Sequence, residues 1–335
     1  MSQPELAAIG SLQQDYYVTH LGRIHVGVLG GNACYAAAGA RLWARDVGVF
    51  GRVGADFPAE LLAKLQSLGV TTSFVRRLDL PHSPRQFVAY LSPGERVIDN
   101  PSPHFRKAGA PLPKELLDYL PVEPEARVDR GLTPLAYRPE DLPATAGSLR
   151  GAHLTPAEYG THALVPVRLR ELGVRLITLD PSPAYMRPAW IAQLRTIVNG
   201  LDAFLPSLEE AQALFLSQAT RPREIAEALG AMGCRFVVLK RGPSGQMVWD
   251  SEARREWSVP AYPARVVDLH GVGDVYCGAF LAGLAQTSDV VEAALMGSVA
   301  ASLAAEGSGP GYLLDALPGL AQARLEALRP GVRAV

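Results

Sequence analysis

The sequence has little cysteine and no pattern that would use it for metal binding or cross-linking. Its 335 residues include three cysteines, Cys34, Cys234 and Cys277, all in apolar surroundings and without the spacing of metal ligands. We therefore interpret them as buried free thiols of a reducing compartment, not as disulfides or a zinc site.

An excess of charge and a membrane-spanning segment are also missing. The formal net charge is −1 at pH 7, with charged residues making up 19% of the chain, so neither nucleic acid nor a membrane is expected as a partner. The most apolar run, 276–285, is shorter than the roughly 20 residues that span a bilayer. The first five residues lack the basic segment and long apolar run of a signal peptide. We therefore expect a cytoplasmic protein.

What the chain does have is an alternation of short apolar runs with helix-forming segments. Hydrophobic residues make up 48% of it, enough for the core of a large α/β domain. Strands are predicted at positions that include 6–9, 47–50, 175–179 and 235–239. This rhythm predicts a mostly parallel sheet covered on both faces. Residues 101–150 are expected to form an irregular connection with one short helix near 114–120.

The stretch 268–274, Asp-Leu-His-Gly-Val-Gly-Asp, is predicted to join a buried strand at 264–267 to a buried helix at 274–286. Glycines at such a turn let a ligand approach free N–H groups at the positive end of the helix. The carboxylate of Asp274 lies beside that cradle, which suits phosphoryl transfer to a hydroxyl. The alternative is that Asp274 merely caps the helix and the glycines merely form a turn. The stretch alone does not decide between them.

Two common nucleotide-binding motifs are absent. No G-x-x-x-x-G-K-[ST] loop occurs in the chain, and the dinucleotide fingerprint would need a glycine where Tyr276 stands.

Four separated stretches resemble, in order, the signatures of the PfkB family of sugar and nucleoside kinases. They are 30–43 with 49–56, 206–210, 238–245 and 268–274. The resemblance covers residues 5–320 and implies a ribokinase-like three-layer αβα fold, with a mostly parallel central sheet and a small β-sheet lid. We expect residues 1–335 to form one such domain. Its lid is expected at about 12–28 and 84–100, where strand-like segments surround polar turns.

The resemblance also implies roles for individual residues. Asp274 would be the general base, and the N–H groups of Gly271, Val272 and Gly273 would form the anion hole. The substrate would lie against Asp15, Gly30, Gly31, Asn32, Tyr35 and Arg85. ATP would be held by Ser207, Lys240, Arg241, Gly242, Gly245 and Ser298. Glu210 would place Mg²⁺, directly or through water.

Several residues depart from the family pattern. Leu269-His270 replaces Thr-Thr, so the sequence does not decide whether a K⁺ site exists. Ser207 replaces the Asn of N-x-x-E. Tyr35 stands where ribokinases carry an Asn, which argues against ribose as the substrate. A lone histidine such as His270 is more often structural than a phosphate ligand. For Asn32, helix capping is the simpler interpretation than a contact with a substrate hydroxyl.

These observations predict an ATP- and Mg²⁺-dependent kinase that phosphorylates a hydroxyl of a sugar or sugar-like alcohol. A nucleoside kinase of the adenosine type is the nearest alternative, which the lack of a distinctive aromatic pair in the expected pocket disfavours. A non-catalytic nucleotide- or sugar-binding relative is the second alternative. The departures from the family pattern at Ser207 and Leu269-His270 are the features that favour it. Pairing of two lids would cover their strand edges, so a homodimer is expected.

Overall fold

A computed structural model describes residues 3–82, 85–121, 131–215 and 221–335. Its strands are β1 Leu6–Ile9, β2 Gln13–Val18, β3 Ile24–Gly30, β4 Val47–Val53, β5 Val70–Thr71, β6 Val75–Arg77, β7 Arg85–Ser92, β8 Glu95–Val97, β9 Gly151–Leu154, β10 Leu176–Leu179, β11 Ala203–Phe204, β12 Phe236–Lys240, β13 Gln246–Asp250, β14 Arg255–Val259 and β15 Arg333–Ala334. Its α-helices are α1 Asn32–Trp43, α2 Ala59–Ser67, α3 Pro101–Lys107, α4 Tyr159–Glu171, α5 Ile191–Val198, α6 Leu208–Leu214, α7 Pro222–Gly230, α8 Val272–Thr287, α9 Val290–Ala305 and α10 Leu320–Leu328.

The larger sheet is mostly parallel. Its order is β15-β14-β13-β12-β11-β10-β9-β1-β4-β5, with β6 also paired to β4. The strands from β12 to β5 run parallel, and β13, β14 and β15 add an antiparallel edge. Parallel neighbours need long crossover connections, which the helices between successive strands provide.

Helices cover both faces of this sheet because its strands are apolar on both sides. Along β12, Val237 and Leu239 belong to a core cluster that includes Ile225 of α7. The intervening Val238 belongs to another cluster, which includes Phe280 of α8. The alternation follows the two-residue period of a strand and produces three layers.

A close crossing of α1 and α8 positions the beginnings of both helices. A Cβ on Gly278 of α8 would lie 1.7 Å from the Ala36 carbonyl oxygen, and one on Gly39 of α1 would lie 2.0 Å from the Val275 oxygen. Neither position can hold a side chain, so the two helix backbones are nearly in contact. The segments that begin these helices are therefore held side by side.

The smaller sheet has four strands in the order β3-β2-β7-β8. It has its own apolar cluster, in which Tyr16 and Phe87 pack with Phe105 of α3 and with Leu116. The predicted lid segments contribute its strands. Opening and closing of this sheet stays a prediction.

Three local predictions differ from the structure. The strand at 264–267 is wrong, because this segment joins no ladder and instead donates the amides of Val267 and Asp268 to the Ala305 carbonyl at 2.8 and 3.1 Å. The stretch 101–150 contains a real helix, α3, whereas the helix near 114–120 is only a 3₁₀ turn, Lys114–Leu116.

Within the described ranges, no helix has both the length and the apolar character needed to cross a membrane.

Candidate active site

Two of the candidate residues, Ser207 and Lys240, lie with other polar residues at the carboxyl ends of the parallel strands. Ser11 lies just beyond β1, Asp180 follows β10, Ser207 follows β11, and Lys240 ends β12. In open parallel sheets ligands bind at this edge, because the strand ends and the starts of the following helices converge there.

The start of α8 is shaped by two glycines with different surroundings. Gly271 is the N-cap, with φ 73° in the left-handed region, and a Cβ there would lie 2.2 Å from the Tyr35 ring. At Gly273 an added Cβ would meet nothing within 4 Å, so the space above it is open. The Val272 amide donates to the Leu269 carbonyl at 3.3 Å, whereas amides of a first helical turn have no partner within the helix. Among the described residues, no bond outside the helix is recorded for the Gly273 amide, and the space beside it is open.

Asp274 is set among groups that shift its pKa in opposite directions. Burial raises the pKa of this carboxyl to about 6, while the Asn32 amide, Lys240, His270 and Arg96 oppose the rise. The Asn32 Nδ2 group donates to Asp274 Oδ1 at 2.9 Å. Asp274 is therefore ionised at neutral pH, and its pKa is close enough to that pH for the carboxylate to accept a proton.

Asn32 is not the cap of α1. The N-cap is Gly31, which makes no side-chain capping bond, and Asn32 is the first helical residue. The Ser11 hydroxyl donates to Asn32 Oδ1 at 3.2 Å, which turns the amide nitrogen toward Asp274. The capping interpretation was wrong because Asn32 lies inside the first turn of α1, and its side chain bonds to Asp274 at the start of α8.

Asp15 is 1% exposed and lies beside the Gly30-Gly31 pair. Its Oδ2 accepts from the Gly31 amide at 3.3 Å and from His270 Nε2 at 2.8 Å, while its Oδ1 is buried without a partner among the described residues. A Cβ on Gly30 would overlap this carboxylate at 1.7 Å. Glycine at position 30 is thus required by Asp15, independently of any ligand.

An aromatic cluster surrounds this carboxylate. The Tyr17 ring stacks on His270 and on His25, with ring centroids 4.3 Å apart in both pairs. Tyr35 and Tyr90 meet His270 edge-on at 5.6 and 6.2 Å. The expectation that this region lacks aromatic pairs was therefore incorrect.

Arg85 is the one substrate candidate that cannot be placed. Its backbone begins β7, but its side chain lies outside the described part of the structure.

Lys240 forms a buried ion pair that the sequence did not reveal. Its Nζ lies 2.5 Å from Asp180 Oδ2 and 3.5 Å from Cys277 Sγ, and the exposed fractions of the Lys240 and Asp180 side chains are 17% and 7%. Burial raises the pKa of Asp180 to about 6, against the opposing effect of Lys240. Burial is the largest single influence and lowers the pKa of Lys240, but the combined effects of Asp180, Cys277 and Glu210 outweigh it, so the net direction is upward. We infer that both members of this pair carry charge at neutral pH.

The loop after β12 is a tight turn. The Arg241 amide donates to the Gly245 carbonyl at 2.9 Å. Gly242 and Gly245 have φ values of 53° and 78°, which favour glycine at both positions. Ser298 lies apart on α9, where its hydroxyl donates to the Pro260 carbonyl at 2.8 Å.

Ser207 and Glu210 form a capping box at the start of α6. The Ser207 amide and hydroxyl both donate to Glu210 Oε2 at 2.8 Å, and the Glu210 amide donates to the Ser207 hydroxyl at 3.1 Å. Burial, followed by the neighbouring Asp180 carboxylate, raises the pKa of Glu210. Over the ranges that the structure describes, no group of three His, Cys, Asp or Glu side chains could hold a metal ion. A metal held by Glu210 would therefore depend on other ligands.

The structure thus brings the candidates into two neighbouring groups. One contains Asp15, Gly30, Gly31, Asn32, Tyr35 and the turn 271–274, and the other contains Ser207, Glu210 and the loop 240–245. Sequence reasoning did not select Tyr17, Tyr90 and Asp180. For Asp180 a signal existed, because a carboxylate directly after a buried parallel strand points to the ligand-binding edge.

Comparison with known proteins connects this geometry to a family. Residues 175–317 match the family described as pfkB family carbohydrate kinase. A cytidine kinase of Thermococcus kodakarensis is 28% identical over 297 residues, which span 88% of this chain and 93% of that protein. The match covers less than half of the chain and shows that this part of it is similar to PfkB-family kinases. The predicted resemblance and the enzyme class that it implied are confirmed.

The fold of this chain matches that of solved kinases along almost its whole length. The Arabidopsis thaliana ribokinase complexed with ribose and ATP superposes with a TM-score of 0.70 at 19% identity, covering 98% of this chain and 99% of that one. A ribokinase II of E. coli in complex with ATP and Mg²⁺ superposes with a TM-score of 0.69 at 16% identity, covering 97% and 99%. These matches confirm the predicted ribokinase-like αβα class with its small additional sheet.

Proposed function

We propose that this kinase transfers the γ-phosphoryl group of ATP to a hydroxyl of a sugar or sugar-like alcohol, with Asp274 as the general base. The observation that carries the proposal is the pairing of Asp274 with the open space at Gly273. A carboxylate ionised at neutral pH lies beside the start of α8, where the space at Gly273 is open. An acceptor hydroxyl and a phosphoryl group can meet there.

In the proposed reaction the acceptor oxygen attacks the γ-phosphorus. A bond forms between that oxygen and the phosphorus as the bond to the β,γ-bridging oxygen breaks, and ADP leaves with the electron pair. Asp274 takes the hydroxyl proton. The amides of Gly271 and Gly273 stabilise the negative charge on the transferring group, with a smaller contribution from Val272, whose N–H already meets the Leu269 carbonyl.

ATP is proposed to lie along the second group of residues. The loop Arg241, Gly242 and Gly245 would follow the phosphates, Lys240 would add positive charge, and Ser298 would lie toward the adenine. The ion pair with Asp180 keeps the Lys240 ammonium at the carboxyl edge of the sheet.

Magnesium fits the chemistry of Glu210. Both bonds to Ser207 use Oε2, so the second carboxylate oxygen is the one proposed to meet the ion or a water that it holds. Mg²⁺ takes few protein carboxylates and keeps several waters, so one glutamate beside the phosphates is a sufficient protein ligand. When bound, the ion would neutralise phosphate charge. A potassium site beside Leu269-His270 stays a prediction of the family resemblance, to be checked by comparing rates in K⁺ and Na⁺.

A nucleoside kinase is the second candidate, and a specific observation favours it. Tyr90 is only partly buried and meets His270 edge-on, and such a ring can stack on a base. The cytidine kinase relative supports the same class of acceptor. Either acceptor would present sugar hydroxyls to Asp15 and Asn32, beside the backbone of Gly30 and Gly31, and a contact with Arg85 stays a prediction.

The deciding experiment measures ADP formation with a panel of sugars, sugar acids and nucleosides, with Mg²⁺ present. We expect one class of acceptor to raise ATP consumption well above the acceptor-free rate, and Asp274→Asn to abolish that increase. Binding of ATP without turnover on any acceptor would instead support the non-catalytic alternative.

A further inference from the structure

His270 contacts three different parts of the candidate active site at once. Its Nε2 donates to Asp15 Oδ2 of β2 at 2.8 Å, and its Nδ1 lies 3.2 Å from the hydroxyl of Tyr90 on β7. The backbone amide of His270 donates to Asp268 Oδ1 at 2.9 Å. The imidazole thus connects two adjacent strands of the small sheet to the turn that leads into Asp274.

These contacts decide what Asp15 can offer to a ligand. Its Oδ2 accepts from His270 and from the Gly31 amide, whereas its Oδ1 is buried and has no partner in the described part of the chain. A buried acceptor without a donor is unfavourable, so a ligand hydroxyl that donates to Oδ1 gains the full benefit of the bond. Only this one oxygen of Asp15 is left for an acceptor molecule.

We propose that His270 is a positioning residue that sets acceptor specificity: it holds the small sheet on the catalytic turn and restricts Asp15 to recognising one hydroxyl. The acceptor class is a polyol or nucleoside in which one hydroxyl near the reacting one donates to Asp15. Without the imidazole, Oδ2 keeps only its bond from the Gly31 amide and can accept a second one, so Asp15 can accept from two adjacent hydroxyls. This inference rests on the proposed function, but its first test does not.

His25 provides a matched control. It stacks on Tyr17 at the same 4.3 Å centroid distance as His270, with interplanar angles of 15° and 14°. Its Nε2 has no hydrogen-bond partner among the described residues. Replacing His25 therefore removes the same ring contact without removing a bond to Asp15 or Tyr90.

The first test measures amide hydrogen exchange in the intact chain without ligands. His270→Leu is expected to increase exchange in β2 and β7, and His25→Leu to leave these strands much less affected. His270→Gln, whose amide can still donate to Asp15, should restore part of the protection. Equal increases in both leucine variants would overturn the positioning role, whether or not the protein is an active kinase.

The second test compares cytidine with its 2′-deoxy and 3′-deoxy forms, as substrates or as competitive inhibitors of the acceptor found in the panel. In the wild type, loss of the hydroxyl that donates to Asp15 should lower kcat/KM, or raise the inhibition constant, about tenfold or more. Loss of the other hydroxyl should change the same constant little. In His270→Leu both losses should matter, and in His270→Gln the wild-type pattern should return. A wild-type enzyme that recognises both hydroxyls equally would overturn the specificity role. If no compound binds, the proposed function fails, while hydrogen exchange still decides the positioning role.

Discussion

Asn32 and Asp274 are 242 positions apart in the sequence and are joined by a hydrogen bond of 2.9 Å. The bond exists because α1 and α8 cross closely at Gly39 and Gly278, which places the first turns of both helices side by side. The two glycine-rich signatures of this chain therefore meet as one unit. The N–H donor of Asn32 favours the ionised form of the carboxylate on which the proposed chemistry depends.

This relationship predicts the pH dependence of the reaction. Burial raises the pKa of Asp274 to about 6, so kcat/KM should rise as Asp274 loses its proton and should fall as the pH drops below that value. Asn32→Leu removes a donor that opposes the rise, so the acid limb should move to higher pH. The measurement is kcat/KM for the panel acceptor between about pH 5 and pH 9. An acid limb that stays in place in Asn32→Leu would contradict the coupling.

Asp274→Asn should leave the fold and ATP affinity intact and reduce kcat by about 10²–10⁴-fold, because an amide cannot take up the proton. Turnover assays and ATP titration by calorimetry check the two parts separately. Asp79→Asn, which neutralises an exposed carboxylate that is not among the candidate site residues, is the control and should retain wild-type kinetics. Near-native kcat in Asp274→Asn would show that another group takes the proton.

The alternation of apolar runs was sufficient to predict the central sheet, because its strands are buried on both faces. The same reasoning failed at 264–267, where Val266 and Val267 suggested a strand but the segment is bonded to the end of α9 at Ala305 instead of to a neighbouring strand. It also missed α3, whose composition is dominated by proline and charge and whose helix is held by Phe105 in the small core. Local composition cannot reveal stabilisation by distant packing.

The glycines and acids of the site could be found from the sequence, but their partners could not. Spacing indicated Asp274, yet no local pattern links Asn32 to it, or His270 to Asp15, across more than two hundred residues. Such pairs depend on how the small sheet and the helix starts converge. That convergence is a property of the tertiary fold.

A homodimer through the small sheet remains a prediction, now with named residues. Leu21, Val26 and Leu91 of this sheet or its turns expose 54%, 50% and 46% of their surface. Burying such side chains between two copies is favourable by about 25 cal/mol per Å². Light scattering at micromolar concentration should give twice the chain mass, and Val26→Asp should give a monomer. Leu317→Asp, at a site that is 75% exposed outside this sheet, should not alter the mass.

Glu210→Gln separates the capping role of this residue from its proposed role toward Mg²⁺. Glutamine serves in a capping box as glutamate does, so thermal stability should change little, whereas the Mg²⁺ concentration for half-maximal rate should rise and kcat should fall. Glu209→Gln neutralises the adjacent first-turn acid and is the control. Equal effects of both substitutions on the Mg²⁺ dependence would argue against a specific role for Glu210.

The buried Lys240–Asp180 pair predicts a stability effect that depends on pH. Lys240→Met leaves Asp180 buried without its partner, and breaking a buried pair in this way typically costs about 3–5 kcal/mol. The folded-state pKa of Asp180 is already raised by burial to about 6. Without the lysine it rises further, so protonation should relieve the loss as the pH falls, and the destabilisation should be smaller at about pH 5 than at about pH 8.

Urea unfolding of the single variant and of the double variant Lys240→Met/Asp180→Leu measures this effect. The double variant should recover much of the lost stability, because no unpaired charge remains. Arg168→Met is the control. It breaks an ion pair with Glu171 whose side chains are 41% and 58% exposed, and such helical pairs contribute only about 0.2–0.5 kcal/mol. A loss for Lys240→Met as small as that of the control, or one independent of pH, would mean that Asp180 does not need the lysine.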